Sequence, residues 1–286
     1  MHVHDLLQQQ PRPGDPSGRP TGHDEPPPEH MGGTDQAAGC RAADELVALA
    51  AAGAAGGAAL EAALRACGLP ASGPYRVVVA TTVGEESGHA VNALAAALRH
   101  SPGEPGATGR LPSGEAVALV PAEPDAQPRP SLAELWPALY ARRPQIPLHA
   151  GVSGPVRTPE GLNSALGQAR YALAAARAKA PDQARVTAVE DLGTLAALLA
   201  GVPEEVRTAF RSRVLGPLAR DGSHRMLLET LEVFLAHHGS WARTAAALQL
   251  HVNSVHYRIQ RVELLTGRDL SRLEHKLDLQ AALLCR

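Results

Sequence analysis

The densest group of side chains able to do chemistry lies between residues 251 and 261, where the sequence reads HVNSVHYRIQR. At 100° per residue, a helix through this segment turns Asn253, Tyr257, Gln260 and Arg261 to one side, and no acid follows until Glu263. Amide, phenol and guanidinium groups are those that reach base edges and phosphates in a major groove. The pattern therefore points to nucleic-acid contact.

Each side chain admits a chemical role and a structural one. Asn253 could bond adenine through both of its polar atoms, and Arg258 and Arg261 could pair with phosphates or, in one case, with guanine. An Asn-Ser pair at a helix start is also a common cap, so Asn253 and Ser254 could serve the helix alone. Tyr257 and Arg258 could also be only a surface pair, although the surrounding pattern favours phosphate contact.

The other side of the same segment is apolar. Val255, Ile259 and Val262 form one narrow stripe at helical spacing, which predicts a helix over about 252–265 that faces a core and stops at Gly267. The hydrophobic stripe would anchor the helix, leaving the polar side free for a ligand.

Short elements before this helix complete a helix-turn-helix pattern. Ser240 is the expected N-cap of a helix over 241–248, and the turn Gln249–His251 leads into the next helix. Two helices that cross steeply over a tight turn need a small side chain where they approach, and Ala245 is placed for that. Trp241 is expected to pack against the preceding helix, 225–237.

A fourth helix is expected to follow the helix-turn-helix. Ser271–Glu274 has the pattern of a capping box, which predicts that the helix opens there. Its buried residues are expected to be Leu273, Leu277, Ala281 and Leu284. Four helices over 223–286 would then form one all-α unit.

Upstream, residues 71–192 alternate between strand-like and helix-like periods. Strands are predicted at 75–80, 115–120, 147–152 and 185–189, and helices at 89–99, 131–142 and 158–179. The stretch 101–109 is predicted to be a loop, and Pro112–Gly114 a turn. This order indicates an α+β domain in which helices cover a sheet.

The ends of that domain differ in composition. Residues 1–40 are rich in Pro, Gly, His and Gln and are expected to be a disordered, solvated tail, including His2, His4, His23 and His30. Residues 41–70 are an alanine-rich helical lead-in, and residues 193–222 a helical connector.

Composition excludes several classes of protein. The chain of 286 residues is long enough for about two domains, and its 44% apolar residues suit a globular core. Aromatics at 3% argue against an all-β fold.

The cysteines Cys40, Cys67 and Cys285 form no CxxC pair, so a disulfide framework or zinc ribbon is not expected. Residues 46–60 are too short and weakly apolar for a membrane span, and the amino terminus lacks a signal-peptide pattern. A cytoplasmic protein is the expectation.

Charge is nearly balanced over the whole chain, with 27 Lys and Arg against 29 Asp and Glu. Residues 223–286 hold 8 basic and 6 acidic side chains, so the helical unit is slightly basic, whereas the rest of the chain is slightly acidic. Any attraction to nucleic acid must therefore come from a local surface.

The carboxy-terminal pattern resembles the DNA-binding domain of PucR/CdaR-type bacterial transcriptional regulators, whose helix-turn-helix is of the Fis type. The resemblance covers nearly all of residues 223–286 and is carried by the run HVNSVHYRI at 251–259, followed by Thr266-Gly267 and residues 277–283. It implies the groove-facing residues His251, Val252, Asn253, Ser254, His256 and Tyr257, beside Arg258 and Arg261 from the helix pattern.

Residues 73–192 are similar, more loosely, to the degenerate GGDEF-like domain that precedes the helix-turn-helix in such regulators. The resemblance rests on LHAGVS at 148–153, Gln168-Ala169, Ala172-Leu173 and Glu190–Leu192. It implies a dimerisation or signal-relay unit, controlled by a small metabolite or by oligomerisation.

Two groove positions depart from the family pattern, because Val252 and His256 stand where many members have arginine. This predicts a different base preference or weaker binding at neutral pH. Protonation of His256 is expected to strengthen phosphate contact.

Two alternatives remain open at this point. A nucleotide cyclase would need acidic metal ligands and paired glycines, whereas the hairpin Leu111–Ala116 has one glycine and one acid. The helical end could instead be a protein-interaction or dimerisation module without specific DNA binding. We expect no catalytic residues, no metal and no cofactor.

The sequence thus predicts a transcriptional regulator that binds double-stranded DNA through the helix over 252–265. A homodimer or higher homo-oligomer is expected, because one short recognition helix rarely provides enough affinity. Two half-sites about one helical turn apart would follow. A small-molecule effector is possible, and no membrane partner is expected.

Overall fold

The computed structural model describes residues 32–53, 57–82, 87–100, 106–122, 136, 147–219 and 224–285. The tail up to residue 31, with His2, His4, His23 and His30, and most of the helix predicted over 131–142 lie outside these residues. None of the helices in the described part of the chain has the length and hydropathy needed to cross a bilayer.

In the described part of the chain up to residue 188, five strands form one mixed sheet. They are β1 (Tyr75–Thr82), β2 (Ala107–Arg110), β3 (Ala116–Pro121), β4 (Leu148–Val152) and β5 (Arg185–Ala188). Their order is β2-β3-β1-β4-β5. Antiparallel pairs join β2 to β3, β3 to β1 and β1 to β4, and β4 pairs in parallel with β5. The α+β class predicted from the sequence is confirmed.

Helices cover both faces of the sheet. One face packs against α1 (Gly32–Ala52), α2 (Gly57–Ala66) and α4 (Leu162–Lys179). The other packs against α3 (Ser87–His100) and the indole of Trp136, whose Nε1–H donates to the Leu148 carbonyl at 2.9 Å. Alternating burial along the strands supplies both cores, because successive side chains point to opposite faces.

The amino-terminal helices differ from the prediction of a tail and a separate lead-in. Helix α1 begins at Gly32, inside the stretch expected to be disordered, and its Leu46 and Val47 are fully buried in the core of the sheet domain. A Cβ on Gly109 of β2 would lie 2.6 Å from the Ala43 carbonyl oxygen, so helix and strand approach closely. Asp44 accepts the Arg110 backbone N–H at 2.6 Å. These helices are part of the domain.

The loop predicted over 101–109 is wrong at its end, where β2 begins at Ala107. Strand β2 is held by pairing with β3 through a turn at 111–115, in which Gly114 has φ of +88°. A four-residue strand with one β-branched residue has little pattern of its own, so its structure comes from its neighbours.

After β5, the described part of the chain contains helices and no strand. A connector, α5 (Leu195–Ala200) and α6 (Glu204–Leu215), leads to α7 (Arg225–Ala236), α8 (Trp241–Leu248), α9 (Val252–Thr266) and α10 (Leu273–Leu284). One hydrophobic core unites α7, α8, α9 and α10, and the end of α6 belongs to it through Val214 and Leu215.

The last helix contradicts two expectations. Its N-cap is Arg272 with no side-chain cap, so the capping box at Ser271 does not form. Its buried residues are Leu279, Ala282 and Leu283, whereas Leu273 and Leu277, expected inside, are 66% and 53% exposed. Leucines surround this helix on several sides, and packing against α6 and α7 rather than periodicity selects the buried face.

Candidate nucleic-acid interface

Helix α8 is fixed at both ends by the residues that the sequence singled out. Ser240 is its N-cap and accepts the Arg243 backbone N–H at 3.4 Å. Gln249 ends it in the left-handed conformation with φ of +55°, and the Leu250 N–H then donates to the Ala245 carbonyl at 2.8 Å. Ala245 is 4% exposed. The short α8 and the tight turn therefore set the crossing of α8 and α9.

Helix α9 is anchored by the predicted stripe. Val255, Ile259 and Val262 are at most 1% exposed and pack in the helical core. The helix ends at Gly267, whose φ is +67° and whose N–H donates to the Glu263 carbonyl. Its buried face and its end both match the sequence-based prediction.

The opposite face of α9 is open to solvent. Asn253, Ser254, Tyr257, Gln260 and Arg261 are all exposed, with Tyr257 at 70%. Residues 253, 257, 260 and 261 share one side of a helix because they are spaced by three and four. The structure thus gathers an amide pair, a phenol and a guanidinium on one surface, which we call the outer face.

His251 has a role that the sequence reading missed. It is the N-cap of α9, and its Nδ1 accepts the Asn253 backbone N–H at 3.2 Å. Capping by Asn253 or Ser254, the alternative weighed from the sequence, is not what the structure has. Because the cap uses Nδ1, the side chains of Asn253 and Ser254 are left exposed for other partners.

His256 lies at the edge of the outer face rather than in its centre. It is half-buried, and its ring stacks on Trp241 with centroids 3.9 Å apart and planes 14° apart. Trp241 also contacts Phe234 of α7 at a centroid distance of 4.5 Å, as expected for a residue that packs on the preceding helix. The sequence offered no spacing signal for the stack, because its two rings come from different helices.

Arg258 and Val252 also lie apart from the outer face. The Arg258 Nη1 donates to the Thr230 hydroxyl at 3.2 Å, and Thr230 donates in turn to the Met226 carbonyl at 2.7 Å. Val252 is half-buried against the helical core. The guanidinium of Arg258 therefore ties α9 to α7, whereas that of Arg261 is exposed.

The turn between α9 and α10 is held by polar side chains. Glu263 accepts the Leu270 N–H at 2.8 Å, His275 Nδ1 accepts the Asp269 N–H at 2.9 Å, and Asp269 accepts the Ser271 N–H at 2.8 Å. Hydrogen bonds from the hydroxyl and backbone of Ser271 lower the pKa of the Asp269 carboxyl, and His275 and Arg272 add to this. These bonds take the place of the capping box.

In the sheet domain, the hairpin that was weighed as a phosphate-binding loop is tied to a helix. Glu115 accepts from Arg170 of α4, with Nη2 at 2.6 Å and Nε at 3.0 Å from Oε2. Ser113 donates to the same carboxylate at 2.9 Å. The one acid of the hairpin therefore has a guanidinium and a hydroxyl as partners.

An α+β domain followed by a helix-turn-helix is the class that this architecture defines. Comparison with protein families gives the particular domains: residues 227–285 match the PucR C-terminal helix-turn-helix domain, and residues 52–175 match the GGDEF-like domain. The chain therefore contains a GGDEF-like domain and a PucR-type helix-turn-helix domain, as the resemblance implied.

Individual relatives match over limited regions. A protein from Thermomonospora curvata, titled "Uncharacterized protein in pkwA 5'region", is 52% identical over 28% of this chain and 44% of its own length. The "Transcriptional activator PmfR" of Paenarthrobacter nicotinovorans is 36% identical over 34% of this chain and 22% of its own. The chain thus covers less than half the length of these relatives.

A solved structure, the "Regulator of Polyketide Synthase Expression from Bifidobacterium adolescentis", covers 86% of this chain and 97% of its own, at 18% identity. Its TM-score is 0.38.

Proposed function

We propose that the protein is a transcriptional regulator that binds specific double-stranded DNA by placing α9 in the major groove. The observation that carries the proposal is the outer face, where Asn253, Ser254, Tyr257, Gln260 and Arg261 are exposed on a helix whose other side is buried. A recognition helix needs both features, because its core side fixes the orientation in which its polar side meets the bases.

The roles of the side chains follow from their chemistry. An exposed asparagine amide can bond adenine through two atoms, which specifies a base. An exposed arginine such as Arg261 adds affinity through a phosphate, which is largely independent of sequence. Of the eight residues predicted from the sequence, we assign direct contact to Asn253, Ser254, Tyr257 and Arg261. We place His256 at the edge of the DNA contact. His251 caps α9, Val252 packs on the helical core and Arg258 bonds to α7, so these three mainly position the helix.

We infer that the GGDEF-like domain relays a signal rather than acting as a cyclase. The carboxylate of Glu115 is engaged by Arg170, which disfavours a second role as a metal ligand. The proposed units are the sheet domain to about residue 192, the connector 193–222 and the DNA-binding domain 223–286. Control by a small metabolite or by oligomerisation belongs to the same proposal.

Selection of genomic fragments by the purified protein tests the function. We expect a discrete enriched sequence for the wild type, lost in the variant Asn253→Ala/Arg261→Ala. The control is Arg177→Ala, which removes an exposed charge from the end of α4 in the sheet domain. Retention that depends only on salt, alike for all three proteins, would contradict specific recognition and favour a protein-interaction module.

A further inference from the structure

Helix α6 of the connector carries a solvent-facing side that is apolar in its middle. Val206 is 55% exposed and Phe210 38% exposed, and Ala209 between them is also exposed. In the last turn of the helix, Val214 and Leu215 are buried in the helical core. The end of the helix is thus bound to the DNA-binding domain, whereas the apolar residues of its first two turns are exposed.

Charged residues stand at the two ends of this solvent-facing side. Glu205 lies in the first turn of α6 and Arg213 in the last, and both side chains are exposed. At 100° per residue, Glu205, Ala209, Arg213, Val206 and Phe210 fall within an arc of about 140°. They form one continuous surface, which we call the α6 face.

The α6 face is complementary to itself. If two copies pair antiparallel about a two-fold axis near Ala209, the acidic end of each helix meets the basic end of the other, with the apolar residues between them. A two-fold contact requires this property, because the same patch must serve both partners. The small side chain of Ala209 at the centre allows the helix axes to approach closely.

We propose that a second copy of this chain docks on the α6 face, and that this antiparallel pairing of α6 sets the distance between two α9 helices on DNA. This rests on the proposed DNA binding. The rigid link is the shared core, in which the end of α6 and the stretch after it pack with the buried side of α9. The residues that join them there are Val214, Leu215, Leu218, Val255, Ile259 and Val262.

The contact is expected to be weak alone. One helix of 12 residues provides less surface than the roughly 800 Å² per partner of a standard interface. Leu195 and Leu198 of α5, both exposed, add apolar area to the same connector. Paired half-sites would then strengthen dimerisation, because the DNA holds two copies at high effective concentration.

Charge reversal tests the pairing in the full-length protein without DNA. Sedimentation over a concentration series is compared for wild type, Glu205→Arg and Arg213→Glu. Each single variant places like charges at both symmetric contacts of a homodimer, so we expect its dissociation constant to rise at least about tenfold. Asp182→Arg and Arg177→Glu, which make the same changes on exposed residues of the sheet domain, should associate like the wild type.

An equimolar mixture of the two single variants gives the sharper result. In the mixed dimer, one contact has the native pair and the other has the reversed pair, so association should return to near the wild-type value. A mixture that stays as weak as its components, or single variants that associate normally, would overturn the proposal. Circular dichroism of each variant verifies that it is folded.

The outcome is separable from the proposed function. A wild type that pairs through α6 and selects no DNA would contradict DNA recognition and leave the α6 contact standing. A wild type that selects a paired site, with single variants that associate and bind like it, would contradict the α6 contact and leave DNA recognition standing.

Discussion

At the scale of single residues, the predicted DNA contacts divide into side chains that are exposed and side chains that have partners within the protein. The helix pattern alone could find the outer face, because exposure follows from periodicity. It could not find that Arg258 is bonded to Thr230 or that His256 stacks on Trp241. Those contacts depend on how α7 and α8 pack against α9. The spacing of residues within α9 does not determine that packing.

Replacing Asn253 by Ala tests base recognition. We expect the best operator to lose about 1–3 kcal/mol and the preference at one base pair to relax, because a bidentate amide contact is lost. Measurement is by titration of a set of single-base variants of the operator. A uniform loss over the whole set would assign Asn253 to the backbone instead.

Arg258 and Arg261 should respond differently to replacement by Ala. Arg258→Ala should lower the free energy of unfolding by about 1 kcal/mol, because the Thr230 hydroxyl loses a partner in a buried region. Arg261→Ala should leave stability unchanged and weaken binding to all sequences, lowering the salt slope by about 1. Thermal denaturation and binding over a salt series measure both. Equal stability of the two variants would contradict a stabilising role for the hydrogen bond between Arg258 and Thr230.

His256 is the side chain through which pH should act on binding. An imidazole carries more charge at pH 6 than at pH 8, so we expect a steeper salt dependence of DNA binding at pH 6. The stack on Trp241 holds the ring beside the outer face. His256→Gln should remove the difference between the two pH values. If it persists in that variant, another histidine is responsible.

At the scale of elements, sequence patterns were most informative where local chemistry decides the structure. The bounds of α8 and the start of α9 agree with the prediction, because Ser240 caps one helix and a tight turn separates the two. The predictions for the segment that forms β2 and for the buried face of α10 were wrong. Both depend on partners distant in sequence: β2 on β3 and α1, and α10 on α6 and α7.

The turn before α10 gives a prediction about acid stability. The folded pKa of Asp269 lies below its ordinary value of 3.8, so its carboxylate stabilises the folded state above about pH 4. That contribution is lost as pH falls through the folded pKa. Asp269→Asn should therefore be less stable than wild type at pH 7, with the difference shrinking in acid. Thermal denaturation over a pH series measures it, and a constant difference would contradict the assignment.

At the scale of the whole molecule, α5 contacts both domains. It packs against α4 of the sheet domain and against α10 of the DNA-binding domain. The Tyr171 hydroxyl of α4 donates to the Leu198 carbonyl, and a Cβ on Gly201 would lie 2.5 Å from the Tyr171 ring. We infer that this short helix could transmit a change in the sheet domain to the DNA-binding domain through α10.

Replacing Tyr171 tests that route. Tyr171→Ala should loosen the connector and speed its proteolytic cleavage between residues 193 and 203, because α5 loses the ring that packs on it. Tyr171→Phe keeps the ring and serves as the control, with cleavage close to that of the wild type. Cleavage at the same rate in both variants would show that the ring does not hold α5.

The burial of α1 has a practical consequence for anyone shortening this chain. The GGDEF-like match begins at residue 52, yet Leu46 and Val47 fill the centre of the core, and Asn163 donates to the Ala50 and Ala51 carbonyls at the end of α1. A fragment cut at the family boundary would leave an uncovered apolar groove along the sheet and is expected to aggregate. A fragment that starts at about residue 32 keeps α1 packed on the sheet and should be soluble.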